Sequence, residues 1–297
     1  MSLSPGTATN GFTGAIAIQS TDTGGSLRYI PCYNIDPQVY DGQEPVMLIN
    51  NTAFPVNVVR GTSYAVITLT CPLIALLHNA DFFARAVLSG VGDTGASGYH
   101  TMTVWADNLG GDTPKVYGRC KFASMRLRST FSQQAGQQIT FLDFTIWSAD
   151  PESTTVTAAA APPAGALSVG GILGFGQSVF TGASSVVGTE LTINTGIQFI
   201  PGVTQGNNAN YPVLPNGIML NTIGGTVRLT QIRNPATALV NGPLITAFGT
   251  TGAGVSFAQQ LRRMMNSKRQ AGGINYVTNS YFLNSLSGAS PLVVSDL

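Results

Sequence analysis

Between Gly61 and Gly90 the hydrophobic pattern changes period. Val66, Ile67, Thr68 and Thr70 form a β-branched run, and beyond Pro72 the apolar positions Leu73, Leu76, Leu77, Ala80, Ala84, Val87 and Leu88 recur at three- and four-residue steps. The first pattern predicts a strand and the second one apolar stripe on a helix. Pro72 ends the strand and suits the first helical turn, where its missing N–H costs nothing, and Gly90 closes the helix. The unit is a strand feeding a helix that folds back over the sheet.

Gly225 to Gly249 repeats this unit. By eye, Gly61-Thr62 aligns with Gly225-Thr226, Pro72 with Pro235 and Ala75-Leu76 with Ala238-Leu239. Two copies about 160 residues apart point to duplication of a domain, since solenoid repeats are far shorter.

The rest of the chain reads mainly as strands. Residues 1–26 form a Ser-, Thr- and Gly-rich arm with the short apolar run Ala15 to Ile18. Leu27 to Ile35 is a strand broken by Pro31, and residues 36–58 form a long loop or hairpin punctuated by Pro37, Pro45 and Pro55. That loop carries too much apolar content (Val46, Met47, Leu48, Ile49, Phe54, Val56) to stand in water, so it packs on its own domain or on another subunit. Tyr99 to Trp105 is a strand.

Val116 to Trp147 is the clearest hairpin. Ala123, Met125 and Leu127 alternate with Ser124, Arg126 and Arg128, and the return strand is apolar at Ile139, Phe141, Leu142, Phe144 and Ile146. Apolar residues on both faces of that return strand suggest burial on both sides. The alternation then fails, so the reading is domain 1 over 1–150, a linker over 151–166 and domain 2 over 167–297. In the second half LTINTGIQFIP is a strand, followed by the Asn- and Gly-rich loop from Gly202 to Pro215. Ser256 to Arg269 reads either way: a capping box at Ser256/Gln259 and the spacing of Phe257, Leu261, Met264 and Met265 fit a helix, whereas the corresponding place in the first half is a strand.

Composition adds one unusual quantity. Charged residues are 9% of the chain, where about 25% is usual in soluble proteins. With 43% hydrophobic residues the chain folds, but its surface lacks the repulsion that keeps proteins monomeric. We read that surface as covered largely by other copies of the chain. Net charge is +1 overall, with −2 in residues 1–150 and +3 in residues 151–297, which suits head-to-tail contact between identical chains and gives no reason to expect nucleic acid or anionic membrane as a ligand. Three cysteines without short spacing imply buried free thiols. The first 21 residues hold no charge, so the basic region of a signal peptide is missing and assembly in the cytoplasm is expected. No apolar run reaches the ~18 residues of a membrane span.

Catalytic patterns are absent. His78 and His100 stand apart from any Ser or Cys motif, three glutamates leave little for carboxylate chemistry, and Asp107, Asn108 and Asp112 have an ordinary turn composition. We expect no enzyme, no cofactor and no metal. Two basic clusters, Lys115/Arg119/Lys121/Arg126/Arg128 and Arg262/Arg263/Lys268/Arg269, lack the interleaved aromatics of a nucleic-acid surface. The first is read as partnering Asp-rich loops of a neighbouring copy, the second as doing the same or as a solvated face.

In the order of its elements the chain resembles the major tail-tube proteins of long-tailed bacteriophages, in the form with two tube-like domains. The residues carrying this are Arg28-Tyr29-Ile30-Pro31, the strand-to-helix unit from Gly61 to Gly90, the hairpin from Gly118 to Trp147, LTINTGIQFIPG, and the second unit after Gly224-Gly225. The short tail after Leu286 departs from the pattern.

The resemblance implies a mainly β fold with a few helices: tandem β-sandwich or barrel domains of tail-tube type, each with a flanking helix. It implies subunits in rings stacked into a tube of the virion tail, with DNA as non-specific cargo in the bore and other tail proteins at the ends. Three chains would form a ring if both domains are tube-like, and six otherwise. On this reading Asp36, Tyr40, Asp41, Glu44, Met47, Phe54, Arg126 and Arg128 are candidates for contacts between rings, and Met125, Leu127, Ile139, Phe141, Phe144 and Ile146 for the barrel wall. The alternatives are another virion structural protein (capsid or decoration) and a secreted β-rich adhesin or carbohydrate-binding module.

Overall fold

Period-two alternation builds the long strands, and their pairing builds one large sheet. The computed structural model describes residues 15–20, 27–46, 57–72, 99–105, 113–130, 140–162, 186–219, 223–232, 247–248, 254–257, 262–271, 273–282 and 292–295. In chain order the strands of the first half are β1 (Ala15–Ser20), β2 (Arg28–Pro31), β3 (Asn34–Tyr40), β4 (Gln43–Val46), β5 (Asn57–Arg60), β6 (Tyr64–Pro72), β7 (His100–Trp105), β8 (Lys115–Thr130) and β9 (Phe141–Asp150). Those of the second half begin with β10 (Val186–Thr195), β11 (Gln198–Phe199), β12 (Val203–Gln205), β13 (Val213–Pro215), β14 (Ile218–Met219) and β15 (Ile223–Ile232). They end with β16 (Ala247–Phe248), β17 (Gly254–Phe257), β18 (Arg262–Ala271), β19 (Ile274–Phe282) and β20 (Leu292–Ser295). The described part is mainly β, one large antiparallel sheet with small sheets around it, and contains no helix.

The sixteen-residue strand β8 is the hub of an eleven-stranded sheet. On one side it pairs β9 from Gly118 to Arg128. On the other it takes β7 along its first part and β10 along its second. The sheet continues from β7 through β1 to β2, from β9 through β6 to β3, and from β10 through β15 and β19 to β18. Small sheets pair β4 with β5, β11 with β14, β12 with β13, and β17 with both β16 and β20.

One face of this sheet is the core. Ala65, Ile67 and Leu69 of β6, Leu142, Phe144 and Ile146 of β9, Met125 and Leu127 of β8, and Leu191 and Ile193 of β10 are each at most 2% exposed. Each large apolar side chain so buried contributes roughly 1.5–3 kcal/mol. The other face carries Thr68, Thr70, Asp143, Thr145, Arg126, Arg128, Glu190 and Thr192, exposed or half-buried. The return strand β9 therefore has one fully buried face, and on the other Phe141 and Trp147 are half-buried.

The two halves contain the same strand quartet. β3-β6-β9-β8 in the first matches β10-β15-β19-β18 in the second, and the two join where β8 pairs β10. Each hairpin has one extra residue in its first strand, Ala123 opposite the Ile146–Thr145 step and Met264 opposite the Tyr281–Ser280 step. Setting these bulges equal fixes every other position. Arg128 over the Phe141 ring at 4.7 Å then matches Arg269 over the Tyr276 ring at 5.6 Å. Thr70 donating to Asp143 at 2.9 Å matches the 3.0 Å bond between Thr230 and Thr278. Gln38 donating to Asp36 at 3.0 Å matches Thr192 donating to Glu190 at 3.4 Å.

This registration corrects the by-eye alignment of the strand unit. Leu69 corresponds to Leu229 and Thr70 to Thr230, so Tyr64 rather than Gly61 stands at the level of Gly224. Glycine and proline punctuation misled the alignment, because cross-strand partners set register and loop residues do not.

Ser256 to Arg269 is also settled: β17 and β18 occupy most of it, so the helical option fails. The bulge at Met264 explains the helical look, since one inserted residue turns a period of two into an apparent three-residue step. The helix expected beyond Pro72 falls in residues 73–98, outside the described residues. Pro72 itself is the last residue of β6, opposite Phe141.

The stretch read as a linker is tied down over residues 151–162. Ser153 N–H donates to Val116 O at 2.7 Å, Ala159 N–H to Thr103 Oγ1 at 3.0 Å, and Tyr29 OH to Ala160 O at 3.0 Å. Ala159 also packs against the Ala17–Trp105 cluster.

Candidate assembly surface

Where β8 meets β10, side chains at alternate positions on the open face carry opposite charges. Glu190 lies opposite Arg128, and Thr192 opposite Arg126. Arg126 donates diagonally to Glu190 at 3.0 Å, and Arg228 of β15 approaches the same carboxylate at 4.0 Å. Arg128 turns to Asp143 of β9 at 2.6 Å. The arginines of these pairs are 40–52% exposed, so each pair adds little stability by itself. Their effect is local neutralisation, because three guanidinium groups and two carboxylates balance to one positive charge on this face. The hydrogen bond to Glu190 raises the Arg126 pKa further above its ordinary value.

An aromatic ladder crosses the same face of the first quartet. Tyr40 at the edge stacks on Tyr64 at 4.8 Å, Tyr64 lies 4.8 Å from Phe199, and Phe199 lies 5.1 Å from Trp147. Phe199 comes from the second half, so this ladder helps fix the two halves together.

A second brace is formed by residues 198–219. Tyr99 OH accepts from Ile218 N–H at 2.8 Å and donates to Ile218 O at 3.2 Å. Arg119, held at φ 46°, donates to Pro215 O, Asn216 O and Ala149 O at 3.2, 3.3 and 2.7 Å. Asn208 donates to Glu152 O at 2.8 Å, and Ser63 N–H to Val213 O at 2.8 Å.

The candidate residues separate into distinct places. Asp36 and Tyr40 lie on β3, the outermost strand of the first quartet, and both are exposed. Asp41 begins the next turn, where its Oδ1 accepts from Gln43 N–H at 3.2 Å. Glu44 is in β4. Arg126 and Arg128 are engaged at the internal junction. Met125, Leu127, Phe144 and Ile146 are on the buried face, whereas Phe141 is on the open face beneath Arg128. Met47, Phe54 and Ile139 fall outside the described residues, as does His78.

The first basic cluster is engaged inside the chain. Lys115 pairs with Glu152 at 2.9 Å, and Lys121 is buried with its ammonium 4.8 Å over the Tyr99 ring. Glu190, Asp143 and Arg228 escaped sequence reasoning. Their only signal was a charged residue interrupting a Thr-rich alternating strand, which locates a face but not a partner.

His100 is buried with its ring edge-on to Phe122 at 5.4 Å. Among the described residues no group of His, Cys, Asp and Glu could hold a metal ion, and no helix is long and apolar enough to cross a membrane. Cys32 and Cys71 face each other with sulfurs 3.2 Å apart, both buried as free thiols, and Cys120 is buried as well. An open cleft of about 560 Å³ lies beside Val39 to Gln43, Gly61, Thr62 and Tyr64.

No known family model matches this sequence, and no curated protein is significantly similar to it.

Proposed function

We propose that this chain is a structural virion protein that assembles with itself into stacked rings, forming the tail tube through which phage DNA is delivered. The observation that carries the reading is the internal junction: one quartet continues edge to edge into a second of the same order, while the outer edges of β3 and β18 have no strand beside them among the described residues. A sheet that grows by adding like units in one direction leaves complementary ends, and such heterologous contacts close into rings when the rotation allows.

On this reading each chain supplies two tube-like β domains, and three chains give a closed wall of about twenty-four strands. The buried face points outward beneath the rest of the chain, and the Thr-rich open face lines the bore. Paired charges suit that position, because an unneutralised arginine would bind phosphate and retain DNA. The protein acts without catalysis or cofactor, is assembled in the host cytoplasm, and meets other tail proteins at the tube ends.

Negative-stain microscopy of purified protein, beside sizing chromatography, tests this. Rings or tubes with a central hole support it. Closed shells, or a monomer persisting at high concentration, would overturn it.

A further inference from the structure

Among the described residues three strands of the large sheet, β2, β3 and β18, have a strand on one edge only. β3 pairs only β6, and β18 pairs only β19. They stand at opposite ends of the run β3-β6-β9-β8-β10-β15-β19-β18, seven strand spacings or about 34 Å along the sheet, and do not pair with each other within the chain.

The repeat relates each free edge to a strand that is already joined. β3 is the counterpart of β10, and β18 the counterpart of β8, and β8 with β10 forms the internal junction. We infer that β18 of one copy pairs antiparallel with β3 of the next in the register of the β8–β10 junction. This places Arg269 opposite Asp36, Ser267 opposite Gln38 and Lys268 opposite Pro37. The inference rests on the self-assembly reading and specifies the strands, the register and the charge pair that would join the copies.

Three observations support that register. The first is charge. Asp36 is the counterpart of Glu190, and Arg269 of Arg128. At the internal junction Glu190 is held by Arg126, and Arg128 by Asp143. Ser267 and Thr278 occupy the positions equivalent to Arg126 and Asp143, so nothing equivalent engages Asp36 or Arg269. Arg269 has no carboxylate partner among the described residues, and both side chains are exposed. The register joins the acid to the base.

The second is burial. Leu191 and Ile193 of β10 are fully buried between two neighbouring strands, while their counterparts Pro37 and Val39 are half-buried beside one. A second neighbour accounts for the difference.

The third is the blunting of both edges against other partners. Pro37 removes one N–H from β3, and Lys268 and Arg269 charge β18, devices that oppose unselective strand addition. Lys268 also stands where Leu127 stands, so this junction is less apolar than the internal one and therefore weaker, as suits contacts made during assembly.

Charge reversal and cross-linking test it on the full chain. Asp36→Arg or Arg269→Asp alone sets like charges face to face, and each should lower the assembled fraction at least about tenfold in sedimentation at fixed concentration. Combining the two should restore it. All sites are exposed, and unchanged circular dichroism would confirm that each variant folds. With Gln38→Cys and Ser267→Cys in one chain, mild oxidation should give intermolecular disulfides, and Gln38→Cys with Arg269→Cys, two residues out of register, should give far fewer. Rings or tubes that form without the Gln38–Ser267 cross-link, or single reversals without effect, overturn the register and leave self-assembly standing. A chain monomeric at every concentration overturns both.

Discussion

Tyr99 shows how one hydroxyl can hold two halves of a chain. Its oxygen satisfies both backbone groups of Ile218, 119 positions away, at a site where all three are buried. Tyr99→Phe should cost about 1–3 kcal/mol in urea denaturation, because a buried N–H and C=O lose their partner and gain no water. Burial also governs the thiols. It pushes the Cys120 pKa from 9.0 up to about 12, and raises that of Cys71 well above 9.0, with the Cys32 hydrogen bond adding to it. A thiol kept neutral in the native state favours folding fully below its unfolded pKa. That contribution declines as pH climbs from 9 towards 12, where only the unfolded chain ionises freely. Denaturation midpoints measured from pH 8 to 11 should therefore fall, and Cys120→Ala should make the decline shallower.

Among the elements, β8 does the organising. Its length lets one edge serve two strands in succession, β7 and then β10, and the switch occurs at two irregularities. One is the bulge at Gly118–Arg119 opposite Thr101, with Arg119 in the left-handed region. The other is Ala123, just before β10 takes over. Bulges bend a strand and raise its local twist, which a hub strand requires. Arg119 repays its unusual backbone through three carbonyl contacts, two of them to residues 215 and 216. Arg119→Ala should lower stability by roughly 1.5–3 kcal/mol and raise hydrogen exchange across Val213 to Met219 more than in β6 or β9. A comparable constraint sits at Gly42, whose φ is +62° and where a Cβ would meet Thr62 O at 2.5 Å. Gly42→Ala should destabilise the turn between β3 and β4 measurably in thermal denaturation.

At the scale of the whole molecule, the eight-strand run of the large sheet ends in β3 and β18, each with an outer edge that has no strand beside it among the described residues. β6 and β9 have neighbours on both sides, whereas β3 and β18 have one each. Assembly along the proposed direction should raise amide protection in β3 and β18 and leave β6 and β9 unchanged. Equal protection in dilute and assembled material would speak against edge pairing. Because the joining charges are exposed, assembly should also weaken as salt rises from 0.05 to about 0.5 M, through screening of Asp36 and Arg269. A surface so poor in charge limits that weakening to a few-fold.

Local pattern determined the strands, because alternation depends on neighbours two residues apart. β8, β9 and β10 follow it, and the inward face of Met125, Leu127, Phe144 and Ile146 could be read directly. The strand quartet could not, since pairing order depends on residues far apart in sequence. The by-eye repeat paired Gly61 with Gly225, several residues away from the register that strand pairing gives, and the bulge at Met264 disguised β18 as a helix. Charge partners were hidden for the same reason: Arg126 and Glu190 are 64 residues apart, and only strand register brings their side chains together. The sequence by itself determined a β-rich, weakly charged chain. Tertiary structure decided which edges are joined and which are left open, because backbone hydrogen bonds are satisfied across strands and not along them.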